Sequence, residues 1–120
     1  MQENPAAPLR VFVVWEPVLP TDWVTPTTSV LARVPDRRAV QFWDPDHQLS
    51  QSILDAARAD PNHPLTRGRE LGDVAWDVVI VFPRGERWDG AFPSPAFGGN
   101  PVIKVLAEFR QSLSVVLTSR

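Results

Sequence analysis

Two runs of five consecutive apolar residues constrain the fold of this chain more than any other feature. Val11–Trp15 and residues 78–82 consist only of β-branched and aromatic residues. A strand with one face in water would alternate apolar and polar residues, whereas a continuous run predicts a strand covered on both faces, as in a parallel sheet. A weaker strand is predicted at Ala39–Trp43, where Gln41 interrupts the apolar run and indicates an edge position.

Three Pro residues, each preceded by a side chain that can cap a helix, mark the predicted helix starts. A Pro at the first helical position sacrifices no hydrogen bond, and the residue before it accepts one from an unpaired backbone N–H. The three pairs are Thr25-Pro26, Asp44-Pro45 and Asn100-Pro101. With a short strand at 87–89 and loops at 60–73 and 90–99, the order is β-α-β-α-β-β-α. This order predicts an α/β layered domain with a mainly parallel sheet.

Composition excludes several classes of protein. The 120 residues match the size of one domain, and we expect a flexible segment at 1–8 followed by a single domain over 9–120. The lack of Cys excludes a disulfide framework, a thiol nucleophile and Cys-based metal sites. A net charge of −2 without a basic stripe argues against nucleic-acid binding. Without a signal peptide or an apolar stretch of roughly 18 residues, we expect a cytoplasmic chain with no membrane partner.

Short motifs around the predicted strands resemble thioredoxin-like proteins. They are VVWEPVLP at 13–20, FWDPD at 42–46 and WDVVIVFPRG at 76–85. The resemblance covers roughly residues 9–117 and is closest to exported bacterial members with a thiol–disulfide oxidoreductase or peroxiredoxin-type layout. It implies a thioredoxin-like layered sheet, in which a strand–helix unit carrying a Cys-x-x-Cys redox pair precedes Val11–Trp15.

The redox half of that family is missing here. Ten residues precede Val11 and none of them is Cys, while Val74-Ala75 stands before Trp76 where the family has a cis-Pro. The resemblance therefore implies a redox-inactive scaffold that lacks the usual first strand–helix unit and needs no cofactor. The missing strand would be central in the sheet. Direct pairing of the runs 11–15 and 78–82, a strand from residues 1–9, or a second chain would have to replace it, and we expect a homodimer.

Candidate ligand-binding residues lie at the ends of two predicted strands. Trp15-Glu16 and Trp43-Asp44 each place a Trp and an acid at the carboxyl end of a strand, where open α/β sheets bind ligands. Together with Asp22 they predict an aromatic wall with polar contacts for a small molecule. The competing interpretation is that both Trp rings cover the core and Asp44 caps a helix.

Two other chemical interpretations of these residues are weaker. Asp44, Asp46 and His47 include side chains that bind metals, but helix capping and the helix dipole explain this sequence better. Glu16 and Asp44 could form a carboxylate pair for acid–base catalysis, although so short a chain leaves little room for a substrate cleft. No nucleophile–base motif surrounds either His. We therefore assign no catalytic residue and no metal ligand.

The sequence favours a non-enzymatic function. The first hypothesis is a redox-inactive thioredoxin-like domain that acts as a self-associating or partner-binding module. Two alternatives stay open: the C-terminal part of a thiol–disulfide oxidoreductase-like protein whose redox half is missing from this chain, and a small-molecule-binding protein with a Trp-lined pocket. Fold analogy alone does not decide among them.

Overall fold

The protein is a small mixed α/β domain with two separate two-stranded sheets. A computed structural model describes residues 2–66 and 72–119. The chain divides into two compact units, Met1–Gln48 and Leu49–Arg120. One sheet is parallel and the other is antiparallel, and three α-helices accompany them within the described residues.

The first unit contains the parallel sheet. Strand β1 (Val11–Trp15) pairs with β2 (Ala39–Trp43) in full register, so that Val11 lies opposite Ala39 and Trp15 opposite Trp43. Helix α1 (Thr28–Leu31) is a single turn in the connection between the two strands. Both strands form where the apolar runs predicted them.

The polar side chain of Gln41 in β2 connects this strand to β1 and to α1. Its side-chain oxygen accepts a hydrogen bond from Trp15 Nε1 at 3.0 Å, and its Nε2 donates to the carbonyl oxygen of Leu31 at 2.9 Å. One amide thereby ties β2 to the end of β1 and to the last residue of α1. Such a half-buried amide favours the native arrangement because each of its polar atoms has a partner.

The second unit contains the antiparallel sheet and two longer helices. Its elements begin with α2 (Gln48–Ala59), whose first residue ends the first unit, and continue with β3 (Val79–Val81), β4 (Phe97–Gly99), a 3₁₀ turn at Val102–Lys104 and α3 (Leu106–Thr118). Strands β3 and β4 pair with Val79 opposite Gly99, and α3 packs against both of them. A buried cluster of Ile53, Ala57 and Leu65 forms the core, with Val78 and Ile80 packed against it.

The predicted single, mainly parallel layered sheet is wrong. β3 pairs with β4, a strand inside the segment 90–99 that was predicted as a loop, while residues 87–89 contribute only one bridge, between Asp89 and Ala91. The glycines that suggested a loop are needed for close packing. A Cβ on Gly98 would lie 3.0 Å from Leu65 Cδ2, and one on Gly99 would lie 3.0 Å from Val105 Cγ1. β4 lies this close to Leu65 and Val105 because Gly98 and Gly99 have no side chains.

The helices exist as predicted but begin later than their Pro signals. Pro45 lies in a turn closed by the N–H of His47 and the carbonyl oxygen of Asp44, so that α2 begins at Gln48. Helix α1 begins at Thr28 without a side-chain cap. A 3₁₀ turn separates Pro101 from α3. In each case a turn or an extended residue follows the Pro before regular helical hydrogen bonding starts.

Two of the three expected replacements for a missing central strand do not form in the described residues. β1 and β3 belong to different sheets, and residues 2–9 contain turns but no strand. Coverage by a second chain stays a prediction, as does the division into a flexible segment at 1–8 and a domain at 9–120.

Of the predicted loop at 60–73, residues 67–71 lie outside the described part. The rest contains neither helix nor strand.

Arg38 binds the N-terminal segment to the rest of the first unit. Its guanidinium forms a two-point ion pair with Asp36, with distances of 2.9 Å from Nε and 2.7 Å from Nη2. Nη1 donates to the carbonyl oxygens of Asn4 at 2.7 Å and Ala7 at 3.1 Å. The hydrogen bonds from Arg38 hold the pKa of Asp36 well below its ordinary value of 3.8. Planar, bidentate donation of this kind is specific to Arg.

We expect Arg38→Met to release the N-terminal segment, since Met keeps an apolar stem but donates no hydrogen bond. Limited proteolysis should then cleave the chain before β1 faster than in the wild-type protein. Arg37→Met is the matched control, because Arg37 is exposed and forms no hydrogen bond or ion pair within the described residues. Equal cleavage rates in the two variants would contradict the role given to Arg38.

Candidate functional site

The two strand-end Trp residues lie side by side. Trp15 and Trp43 are register partners at the carboxyl ends of β1 and β2, and both are half-buried. The indole N–H of Trp15 is occupied by Gln41, as described above. Two Trp side chains therefore lie at the strand ends where an aromatic wall was predicted. The indole N–H of Trp15, however, is already hydrogen-bonded within the protein.

Two of the predicted polar site residues also bind the backbone. Asp22 accepts hydrogen bonds from the N–H groups of Leu19 at 2.9 Å and Val18 at 3.4 Å, which closes the loop after β1. Asp44 accepts from the N–H of Gln48 at 2.9 Å. This bond satisfies one of the unpaired N–H groups at the start of α2. The capping interpretation of Asp44 thus has direct geometric support, although the helix begins three residues after Pro45.

Glu16 differs from the other acids of this group. Burial raises the pKa of its carboxyl, the nearby His47 lowers it by a smaller amount, and the charge of Asp44 raises it further. His47 donates from Nε2 to the carbonyl oxygen of Pro17 and adopts a left-handed backbone with φ of 55°. The ring thereby links the turn before α2 to the loop after β1.

This arrangement supports structural roles more directly than chemical ones. Asp22, Asp44, Trp15 and His47 each make a hydrogen bond that holds a loop or a helix start. Across residues 2–66 and 72–119 no group of three or more His, Asp or Glu side chains is placed to hold a metal ion. The proposed ligand-binding role of Trp15, Glu16, Trp43, Asp22 and Asp44 stays a prediction.

One face of the β1–β2 sheet is apolar at every position. Alternate side chains of a strand share a face, so Phe12 and Val14 lie on the same side as Val40 and Phe42. Phe12 is 60% exposed, Val40 44% and Phe42 49%. The rings of Phe12 and Phe42 have centroids 6.1 Å apart and planes tilted by 36°. We call these four residues the sheet face.

Within the single chain, the sheet face leaves one side of β1 without the cover that the apolar run predicted. Val11–Trp15 is apolar throughout, but the sequence of a strand does not determine what lies over each of its sides. The signal for this face was present in β2, where Val40 and Phe42 alternate with Gln41 on the opposite side. Exposed aromatic and β-branched side chains that cluster on one sheet are typical of a protein interface.

A cavity of about 440 Å³ opens elsewhere on the first unit. Pro5, Pro35 and the Asp36–Arg38 ion pair contribute to its lining. The guanidinium of Arg38 is committed to Asp36 and to the N-terminal carbonyls, whereas Gln2 and the exposed Arg37 also line this cavity. Separately, none of the helices in the described ranges is long and apolar enough to cross a bilayer.

Comparisons with known proteins give no significant match for this chain, whether to protein-family models, to curated proteins or to solved structures. The resemblance to thioredoxin-like proteins therefore stays a prediction based on its three short motifs. The hypothesis that the chain is part of a longer thiol–disulfide oxidoreductase-like protein likewise stays a prediction.

Proposed function

We propose that this chain is a non-enzymatic α/β module that self-associates through the sheet face. The observation that supports the proposal is the exposure of Phe12, Val40 and Phe42 on one side of a two-stranded sheet. Burying a large apolar side chain contributes about 1.5–3 kcal/mol relative to leaving it in water. A face with two Phe side chains therefore gains substantially from any surface that covers it.

The sheet itself also favours association. Two strands alone give a marginal sheet, because each strand has only one hydrogen-bonded neighbour. Within the described residues, β1 and β2 each have no second strand partner. Packing against the sheet face would restrict the motion of both strands and protect their hydrogen bonds from water.

The chemistry of the sheet face favours a second copy of the chain as its occupant. None of its four side chains carries a charge or a hydrogen-bonding group, so it offers nothing to select a polar partner. Two such faces related by a twofold axis would bury like against like, which is the usual geometry of a homodimer. The net charge of −2 per chain adds only weak repulsion between copies.

Sedimentation velocity over a wide range of protein concentration tests this proposal. We expect the wild-type chain to reach twice the mass of one chain. The double variant Phe12→Ser/Phe42→Ser should dissociate with a Kd at least about tenfold higher, since each lost apolar contact exceeds the 1.4 kcal/mol that corresponds to tenfold. Both substitutions are at exposed positions, and circular dichroism should show an unchanged fold.

Val24→Ser is the matched control for this experiment. Val24 is 77% exposed and lies in the loop between β1 and α1, outside the sheet face. The control should associate as the wild-type chain does. A wild-type protein that stays monomeric at the highest concentration would overturn the proposal, and so would a dimer that Val24→Ser weakens as strongly as the double variant.

A further inference from the structure

The loop after α2 contains a buried imidazole whose hydrogen bond indicates where the ring proton lies. His63 is 4% exposed, and its Nδ1 accepts a hydrogen bond from the N–H of Leu65 at 3.3 Å. A ring nitrogen that accepts carries no proton, so the neutral ring holds its proton on Nε2. That Nε2 is buried and has no hydrogen-bond partner within the described residues.

The same loop places Leu65 in the core of the second unit. The N–H of His63 donates to the carbonyl oxygen of Asp60, and the N–H of Thr66 donates to that of His63, both at 3.0 Å. Leu65 is buried in the cluster formed with α2, and its side chain fills the space left open by Gly98 of β4. The hydrogen bond to His63 Nδ1 therefore fixes a residue that joins the loop to both the helix and the sheet.

We propose that His63 is an acid-sensitive latch: the neutral ring keeps the loop over 60–66 closed, and a proton on Nδ1 releases the loop together with Leu65. A protonated Nδ1 becomes a donor that faces the N–H of Leu65, so their hydrogen bond is lost. The added charge also lies in a site that excludes water. The latch acts within the second unit and is independent of the sheet face.

The electrostatic surroundings agree with this geometry. Burial lowers the pKa of His63 below its ordinary value of 6.5. The carboxylate of Asp60, in the same loop, raises the pKa by a smaller amount and is the one charged group found to act on the ring within the described ranges. Asp60 also accepts a hydrogen bond from the N–H of Asn62 at 2.9 Å, which keeps this carboxylate at the loop.

The direction of the pH dependence follows from proton linkage. The folded-state pKa lies below 6.5, so the loop is most stable above that pH and loses stability as the pH falls from 6.5 to the folded-state pKa. Opening takes up one proton in this interval. The opening equilibrium constant therefore rises by up to about tenfold for each pH unit.

Hydrogen exchange at the Leu65 amide, followed by NMR from about pH 7.5 to about pH 5, measures this opening directly. We expect protection in the wild-type protein, after correction for the intrinsic exchange rate, to fall steeply below pH 6.5. In His63→Asn, the side-chain oxygen of Asn can accept from the N–H two residues later, as in an Asx turn, and it does not titrate. Protection in this variant should stay constant over the same pH range.

The second His of the chain provides the matched control. His47 lies in the first unit, so His47→Asn should keep the wild-type pH dependence at Leu65. Nitrogen-15 NMR of the imidazoles gives a readout that does not depend on any variant. A His63 ring that is charged at neutral pH, or that carries its proton on Nδ1, would overturn the proposal. An equal pH dependence in folded His63→Asn would do the same.

Discussion

Replacing Leu54 by Ala is expected to lower the free energy of unfolding by about 2–5 kcal/mol. Leu54 lies on α2, is only 2% exposed and has the largest fully buried side chain within the described residues. The substitution removes apolar contacts and leaves a cavity that the surrounding residues fill only in part. Urea denaturation at neutral pH measures the loss as a lower midpoint with an unchanged slope.

Leu106→Ala is the matched control for that measurement. It removes the same atoms from another helix, but Leu106 is an exposed residue at the first position of α3. We expect a change within about 0.5 kcal/mol, as for other surface substitutions. If both variants lost the same free energy, the burial of Leu54 would not account for the loss.

The sequence predicted the strands and helices better than their arrangement. Val11–Trp15 and Ala39–Trp43 form strands because β-branched and aromatic residues suit the pleated backbone. The pairing of β3 could not be predicted, since its partner β4 contains Gly98 and Gly99, which have low strand propensity. Their suitability depends on the side chains of Leu65 and Val105, which come from distant parts of the chain. Such tertiary requirements are invisible to a local pattern.

The candidate site shows the same limit. The sequence placed Trp15 and Trp43 correctly at two strand ends and explained Asp44 as a cap. It could not show that Gln41 occupies the indole N–H of Trp15, because that contact crosses two strands. It also treated Phe12 as covered, since an apolar pattern reports what a side chain is and not what lies against it.

Gly98→Val is expected to lower the free energy of unfolding by about 1–3 kcal/mol, the usual cost of overpacking a core. A Cβ at this position would lie 3.0 Å from Leu65 Cδ2 and 3.1 Å from its Cγ, and the two further methyl groups of Val increase the overlap. Gly72→Val is the matched control. Among the residues that the structure describes, none lies within 4 Å of a Cβ on Gly72, and the backbone of Gly72 is not left-handed. Urea denaturation of both variants gives the difference.

A double-mutant cycle identifies the neighbour that causes the loss. Leu65→Ala creates space next to Gly98, so the cost of Gly98→Val should be smaller in that background than in the wild-type chain. Residues in direct contact commonly show coupling of about 0.5–3 kcal/mol. An unchanged cost would mean that another part of the structure resists the larger side chain. A reduced cost would show that the side chain of Leu65 is what excludes a larger residue at position 98. This packing would then explain why β4 has the composition of a loop.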